Sequence, residues 1–318
     1  MDAGSHSAEL SVVNFSELVN PLAEYTIEPC SATLVSGRDA RAHLNRLCTA
    51  DILSDTEMSR RQSFLCDSNG RIIGHLLHTD LGKEILLIHS QQVKEAVRKN
   101  IFNGIPWNED VSVSSGDGAV HRLILVGKNP NRVILGLGVN LEDLSESTWT
   151  EYGDCMISQI VSTPNVSAYE LLIPSRSFDS IKSSLEMNGA KHTNPASWRA
   201  LQTQIKRVDI TENTSGQMPF ELGLEGLVNL RKGCYPGQEI HARMESRGAL
   251  ARKLVSVISD DEPPAGKHKF GEGDRIELLS IHQNANSWFS LGLISTKIEF
   301  ESSNTIECQG ESINATFS

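Results

Sequence analysis

The stretch Arg231-Lys232-Gly233-Cys234-Tyr235-Pro236-Gly237-Gln238-Glu239, continuing through His241-Ala242-Arg243 to Arg252-Lys253, decides how this chain is read. It sets a thiol among two glycines and a Pro-Gly pair. Glycine reaches backbone angles closed to other residues, and Tyr235-Pro236-Gly237 has Pro and Gly at the centre of a natural tight turn. A thiol on such a turn is open to presentation, and Arg231 and Lys232 favour its thiolate, the form that ligates metal or attacks carbon. Against this stands the commoner role of cysteine as a small buried hydrophobe. The residues alone leave both roles open.

The surroundings of the stretch sharpen the reading. From 231 to 253 there are six Lys/Arg (Arg231, Lys232, Arg243, Arg247, Arg252, Lys253) against Glu239 and Glu245, a local balance of +4. The whole chain of 318 residues carries 29 − 40 = −11. A basic island in an acidic protein points to a local anion site. The overall charge argues against direct nucleic-acid binding, which needs a broad basic face. No run of 18 apolar residues occurs, so no membrane span is expected. The first nine residues lack the basic and apolar regions of a secretory signal. Six scattered cysteines with no Cys-x-x-Cys exclude a local zinc knuckle and a disulfide scaffold, and a cytoplasmic location is the simplest expectation.

Read outward, the pattern predicts short strands and a few helices without a βαβ rhythm, hence an α+β fold. Strands are expected at Ala32–Val35, Phe64–Cys66, Ile72–His78, Glu84–His89, Val111–Ser114, Val120–Val126, Arg132–Leu137, Met156–Val161 and Tyr169–Ile173. Helices are expected near Phe15–Leu22 and over Arg38–Leu47, Gln91–Phe102, Phe178–Leu185 (capped by Ser177) and Ala196–Arg207. Asp67-Ser68-Asn69-Gly70 is a strong hairpin turn, because Asn-Gly supplies positive φ. Past Lys253, short strands with polar turns predict a small β-barrel, with a boundary where Asp, Pro, Gly and Lys collect near Ser259 to Lys269. The expected division is an N-terminal segment 1–28, an α+β core 29–250 and a C-terminal barrel 251–318.

Further candidates for chemistry lie on either side of the thiol. Glu221, in Pro219-Phe220-Glu221-Leu222, has apolar neighbours that favour partial burial, and such a carboxylate fits the N–H edge of a pterin or guanine through paired hydrogen bonds. Its ordinary alternative, and that of Glu239, is a solvated surface carboxylate. Arg243, Arg247, Arg252 and Lys253 fit either a polyanion such as a polyglutamate tail or a charged strand edge. Glu239 and His241, two apart, would share one face of a strand, most simply for packing. Histidine metal spacing, dinucleotide fingerprints, P-loops and the Gly-x-Ser-x-Gly elbow are absent.

Lys232-Gly233-Cys234-Tyr235-Pro236-Gly237-Gln238-Glu239 resembles the signature of the folate-binding YgfZ family, which groups with the glycine-cleavage T-protein (aminomethyltransferase) superfamily. The flanking Ala242-Arg243, Arg247-Gly248 and Arg252-Lys253-Leu254 continue the likeness. So do Pro219-x-Glu221 upstream and the opening block Gly37-x-Asp39, Leu44, Thr49-Ala50-Asp51 and Asp67-x-x-Gly70-Arg71, so that the resemblance spans about 30 to 258. It implies T-protein-like pseudo-symmetric domains, including a ferredoxin-like subdomain, around a central funnel for tetrahydrofolate, plus the barrel. It implies a role in maturation or repair of [4Fe–4S] enzymes, including enzymes that modify tRNA, with iron–sulfur client or assembly proteins as partners. Cys234 is then the essential thiol and a shared ligand of a transient iron–sulfur cluster. Lys232, Gly233, Tyr235, Gly237, Gln238, Glu239, Glu221, Arg207 and Arg243 are the folate-binding candidates. A one-carbon transferase acting on tetrahydrofolate (an aminomethyltransferase or demethylase) and a non-catalytic folate-sensing module are the alternatives. The chain departs from the family pattern at Thr211, four after Arg207, at Gly223 after Pro-x-Glu, and at Leu47-Cys48 before Thr-Ala-Asp.

Overall fold

The computed structural model describes residues 23–163, 166–212, 214–248, 250–270, 274–298, 303–308 and 311–317. Two mixed helix–sheet units and a set of barrel strands make up these residues. The helix expected near Phe15–Leu22 lies outside them.

The first sheet has six strands in the order Ala190–His192, Ala23–Glu28, Val120–Gly127, Ser167–Pro174, Cys155–Ser162, Thr150–Tyr152. Neighbours run antiparallel except Ala23–Glu28 beside Ala190–His192. The sheet is buried on both faces, as the apolar run Leu123-Ile124-Leu125-Val126 requires. Leu123 and Leu125 join Tyr25, Tyr169, Leu171 and Leu185 on one side. Ile124 and Val126 join Ala168, Trp198 and Leu201 on the other. This is the period-2 alternation of a strand with two interior faces.

The second sheet has five strands, all antiparallel, in the order Arg60–Cys66, Ile72–Asp80, Glu84–His89, Ser31–Ser36, Ser112–Ser115. The helices Ala40–Leu47 and Lys94–Asn103 contribute Leu44, Val97 and Ile101 to its core. In each unit the chain runs strand, helix, three strands, helix, strand, and lays the strands down in the same spatial order. The first sheet differs by the insertion of Ala23–Glu28. Ala32, Leu77, Leu86 and Ile88 of one sheet meet Trp149, Leu172 and Ile210 of the other unit, so an apolar cluster joins the two.

The last six strands form a closed barrel in the order Arg252–Ser259, Ser287–Ser295, Asp274–Asn284, Gly266–Phe270, Ser303–Cys308, Glu311–Phe317. The first strand pairs with both the second and the last. Leu291 and Leu293 share a core with Phe64, Cys66 and Ile72 of the second sheet. Among the described residues no helix is long and apolar enough to cross a membrane.

Several local expectations are corrected. The segment 1–28 is not separate from the core: Ala23–Glu28 is an interior strand of the first sheet. Arg132–Leu137 is not a strand but part of the helix Pro130–Gly136, because Pro130 presets the first turn and the Asn129 side chain accepts from Arg132 N. The Ser177 hydroxyl does not cap the helix Phe178–Met187 but donates to Asp154 at 2.9 Å. The helix expected to reach Arg207 stops at Gln204, where Lys206 takes a positive φ. Gly266–Phe270 is a barrel strand, so the expected boundary at Ser259 to Lys269 falls inside the barrel.

Candidate functional site

The signature stretch is a loop that turns into a helix. Asn229 Oδ1 accepts from Arg231 N at 2.8 Å and Lys232 N at 3.1 Å, which fixes the loop's entry. Gln238 N donates to Tyr235 O at 3.2 Å across Pro236-Gly237, with Gly237 at φ 84, the geometry of a type II turn. Gln238–Arg247 then forms a helix of good helix formers, stopped by Gly248 at φ 60. The expected strand for Glu239 and His241 is therefore a helix. Two residues apart on a helix lie on opposite sides: Glu239 is exposed and His241 fully buried.

Cys234 is exposed on this loop and is the one exposed thiol among the described cysteines. Burial pushes the Cys30 and Cys48 thiols up to about 11 and Cys155 to about 12, so these stay protonated and inert. The residues around Cys234 are held in place. Lys232 turns inward: its ammonium donates to Asn45 O and lies 5.1 Å from the centre of the Tyr235 ring. Burial lowers its pKa. Tyr235 is buried, with its hydroxyl 3.2 Å from His241 Nδ1. Gln238 Nε2 donates to Leu230 O at 3.2 Å. Gly237 is demanded by packing, since a Cβ there would stand 2.4 Å from Gly70 Cα. Gly233 has no such constraint; nothing lies within 4 Å of where its Cβ would be.

A cavity of ≈450 Å³ opens between the two units beside the loop's entry. Asn229 lines it, together with Asp51, Arg60, Arg61, Gln62, Glu146 and Arg207. Arg207 donates to Ile160 O at 3.1 Å, and burial together with the nearby Arg60 charge holds its pKa below the usual arginine value. Of the residues proposed from sequence, the structure brings Arg207 to this cavity. Thr49 joins cavity and loop: its carbonyl accepts from Asn229 N, and its hydroxyl donates to Leu227 O at 2.8 Å.

Glu221 is elsewhere, and its carboxylate is taken. It is 5% exposed and bound bidentately by Arg252, Nε to Oε1 at 3.1 Å and Nη2 to Oε2 at 2.5 Å. Arg252 also reaches Glu277 at 2.6 Å and Gln217 at 2.8 Å. This knot ties the barrel's first strand to the core and corrects two expectations: Glu221 faces a guanidinium instead of a heterocycle, and Arg252 is a tie instead of a free cation. Glu239 and Arg243 pair with each other at i,i+4 on the exposed face of the helix. That solvated pair is the ordinary surface arrangement.

Sequence reasoning missed a buried ionic network behind the cavity. Arg60 donates to Glu170 Oε2 at 2.9 Å through Nε, and Arg122 binds the other oxygen. Arg122 grips Asp209 with 2.7 Å at each oxygen. Arg199 pairs with Glu28 and reaches Gln202 at 2.9 Å. All six charged groups are buried, three positive and three negative. Burial alone would raise the Glu170 and Asp209 carboxyls, but the adjacent guanidiniums hold both below their ordinary values. The available signal was a charge inside an apolar strand, as in Tyr169-Glu170-Leu171 and Arg122-Leu123-Ile124. Among the described residues no group of three or more His, Cys, Asp or Glu is placed to hold a metal ion. The residues present therefore do not build a resident iron–sulfur site, and one thiolate does not supply the usual four ligands.

No family-level profile matches the chain. Individual relatives do. "tRNA-modifying protein YgfZ" of Klebsiella pneumoniae is 26% identical over 261 residues, which covers 78% of this chain and 75% of the relative. The protein of the same name from Shigella dysenteriae is 24% identical over 244 residues, covering 74% and 71%. Over about three quarters of its length the chain is thus similar to curated proteins named YgfZ. Its fold is that of glycine cleavage system aminomethyltransferase T from Bartonella henselae, which matches with a TM-score of 0.77 at 16% identity, over 95% of this chain and 86% of that one. The loop at 231–239 is the stretch that resembles the family signature, and Cys234 is its exposed thiol.

Proposed function

We propose that the protein is a tetrahydrofolate-dependent factor for maturation or repair of [4Fe–4S] enzymes, including enzymes that modify tRNA, with Cys234 as its working thiol. The observation that carries this reading is the placement of Cys234. It is exposed on a loop whose neighbouring side chains are engaged, five residues beyond the Asn229 that lines the cavity. In this proposal the two helix–sheet units are pseudo-symmetric halves of the folate funnel. The cavity suits the group: its ≈450 Å³ lies in the range of small-ligand sites, roughly 300–1,000 Å³. Asp51 supplies a carboxylate for the N–H edge of a pterin, and Arg61 and Arg207 supply cations for a glutamate tail. Folate would supply one-carbon chemistry there; the chain's own part is to bind it and to present the thiol. The iron–sulfur cluster enters as cargo of a client or assembly protein. The five described cysteines are all free, which suits a reducing compartment such as the cytoplasm.

Tetrahydrofolate titration tests the folate half of the proposal. Trp149 is the reporter, since Arg60 of the cavity wall lies 5.4 Å from its ring. Trp107 is 97% exposed, so Trp107→Phe removes background. A saturable fluorescence change is expected, and its absence overturns folate dependence. Complementation of a deletion strain, read by [4Fe–4S] enzyme activity, tests the thiol; full rescue by Cys234→Ala sinks that role. A second reading, aminomethyl transfer to tetrahydrofolate, draws on the match to aminomethyltransferase T along nearly the whole chain. It expects methylene-tetrahydrofolate to form from an aminomethyl donor, and to form equally in Cys234→Ala.

A further inference from the structure

The hairpin turn Asp67–Arg71 carries no group that the proposed chemistry uses, yet it packs backbone to backbone on the signature loop. A Cβ on Gly237 would meet Gly70 Cα at 2.4 Å, Gly70 N at 2.6 Å and Asp67 O at 2.7 Å. A Cβ on Gly70 would meet His241 Nε2 at 2.9 Å. Both glycines have positive φ, so the contact needs glycine on each side. His241 closes it. Its Nε2 donates to Gly70 O at 2.8 Å, and because a carbonyl only accepts, Nδ1 is left to accept from Tyr235 OH at 3.2 Å. Tyr235 is the residue next to Cys234.

The helix Gln238–Arg247 has one buried residue, and it is His241. One side chain thus anchors the element that follows the thiol. The turn is itself braced. Asp67 Oδ1 accepts from Asn69 N and Arg71 N at 2.9 Å each. Arg71 Nη1 donates to Gly216 O at 2.8 Å, and Ile72 N to Gln217 O at 2.9 Å. Gln217 in turn bonds Arg252 and Glu277 of the barrel. A rigid post and a single pin is the arrangement expected where a loop must be held in one presentation.

We propose that His241 and the Asp67–Arg71 turn form a latch that sets where Cys234 is presented, which makes His241 a positioning residue for the thiol. The inference rests on the reading of Cys234 as the working thiol. His241→Ala breaks the pin, whereas His241→Gln keeps an amide able to donate to Gly70 O.

In the full-length chain, His241→Ala is expected to speed hydrogen exchange of the amides at 235–247 by about tenfold, the effect of losing one buried hydrogen bond in a local unit. Sheet amides are expected to stay unchanged. Alkylation of Cys234 by iodoacetamide, located by peptide mass spectrometry, shifts with it, and complementation falls towards that of Cys234→Ala. His241→Gln restores all three. Exchange and alkylation at wild-type rates in His241→Ala overturn the latch. Should His241→Ala fail to fold, Tyr235→Phe removes the outer bond alone, and the same exchange and alkylation readouts decide. A latch confirmed by exchange, together with full rescue by Cys234→Ala, sinks the functional reading and leaves the latch. Unchanged exchange, together with a failing Cys234→Ala, sinks the latch alone.

Discussion

The ionic network around Glu170 and the loop around Cys234 handle their polar groups in opposite ways. The network joins Arg60 of the second sheet to Glu170 and Arg122 of the first, and Arg122 to Asp209 beyond it. Its charges are internal and balanced in number. The loop has fewer charges, ties them to backbone carbonyls or to each other, and leaves one thiol in solvent. Density of charge therefore does not mark the proposed site. The network welds two units, while the loop presents an exposed thiol on a frame of glycine contacts.

Breaking the network is expected to have the largest effect. Glu170→Ala leaves Arg60 and Arg122 buried without their shared carboxylate, and chemical denaturation should register a loss of about 3–5 kcal/mol. The loop's frame comes next. Gly237→Ala forces a side chain into φ 84 and against Gly70 backbone. A loss of about 2–3 kcal/mol is expected, of which positive φ is one part and the clash another. A loss below about 0.5 kcal/mol would show that the turn yields and that the frame is soft.

Acid should separate the two regions further. His75 is buried against Gln62 of the cavity wall, and burial lowers its pKa from the ordinary 6.5 to about 4. Below 6.5 the unfolded chain takes up the proton first, so the folded state loses stability as pH falls from 6.5 to about 4. The slope contributed by this group approaches about 1.4 kcal/mol per pH unit, and His75→Gln should flatten it in equilibrium unfolding across that window. The smallest effect is expected at the exposed pair: Glu239→Ala should change stability by less than about 0.5 kcal/mol. A loss of tetrahydrofolate affinity in that variant would instead restore Glu239 as a ligand contact.

Much of the local structure was legible in advance. The Asn69-Gly70 turn, the Pro236-Gly237 turn and the stripe of Ile181 and Leu185 each depend on residues a few positions apart. Helix Pro130–Gly136 reads as a strand because three successive apolar residues, Val133-Ile134-Leu135, carry no period of their own; the signal for a helix is its Asn129-Pro130 start. The strand Ala23–Glu28 was missed because its partners, Arg122–Val126 and Ala190–His192, lie roughly a hundred residues or more away. At the site, the signature stretch found the loop, the turn and the thiol. It also proposed Glu221 as a ligand contact, because nothing near 221 in sequence announces that Arg252 claims it.

Sequence by itself determined the resemblance to the YgfZ proteins, the turn chemistry of the loop and the identity of its thiol, since these are properties of contiguous residues. Tertiary structure alone decided which polar groups are free. Glu221, Arg252 and Lys232 have partners from distant segments, and Glu170 and Asp209 stay ionised in the interior because guanidiniums converge on them. A buried charge is tolerable only when its partner arrives through folding. Cys234, like the Glu239–Arg243 pair, remains open to solvent, while Glu221 and Lys232 are claimed by partners from elsewhere in the fold.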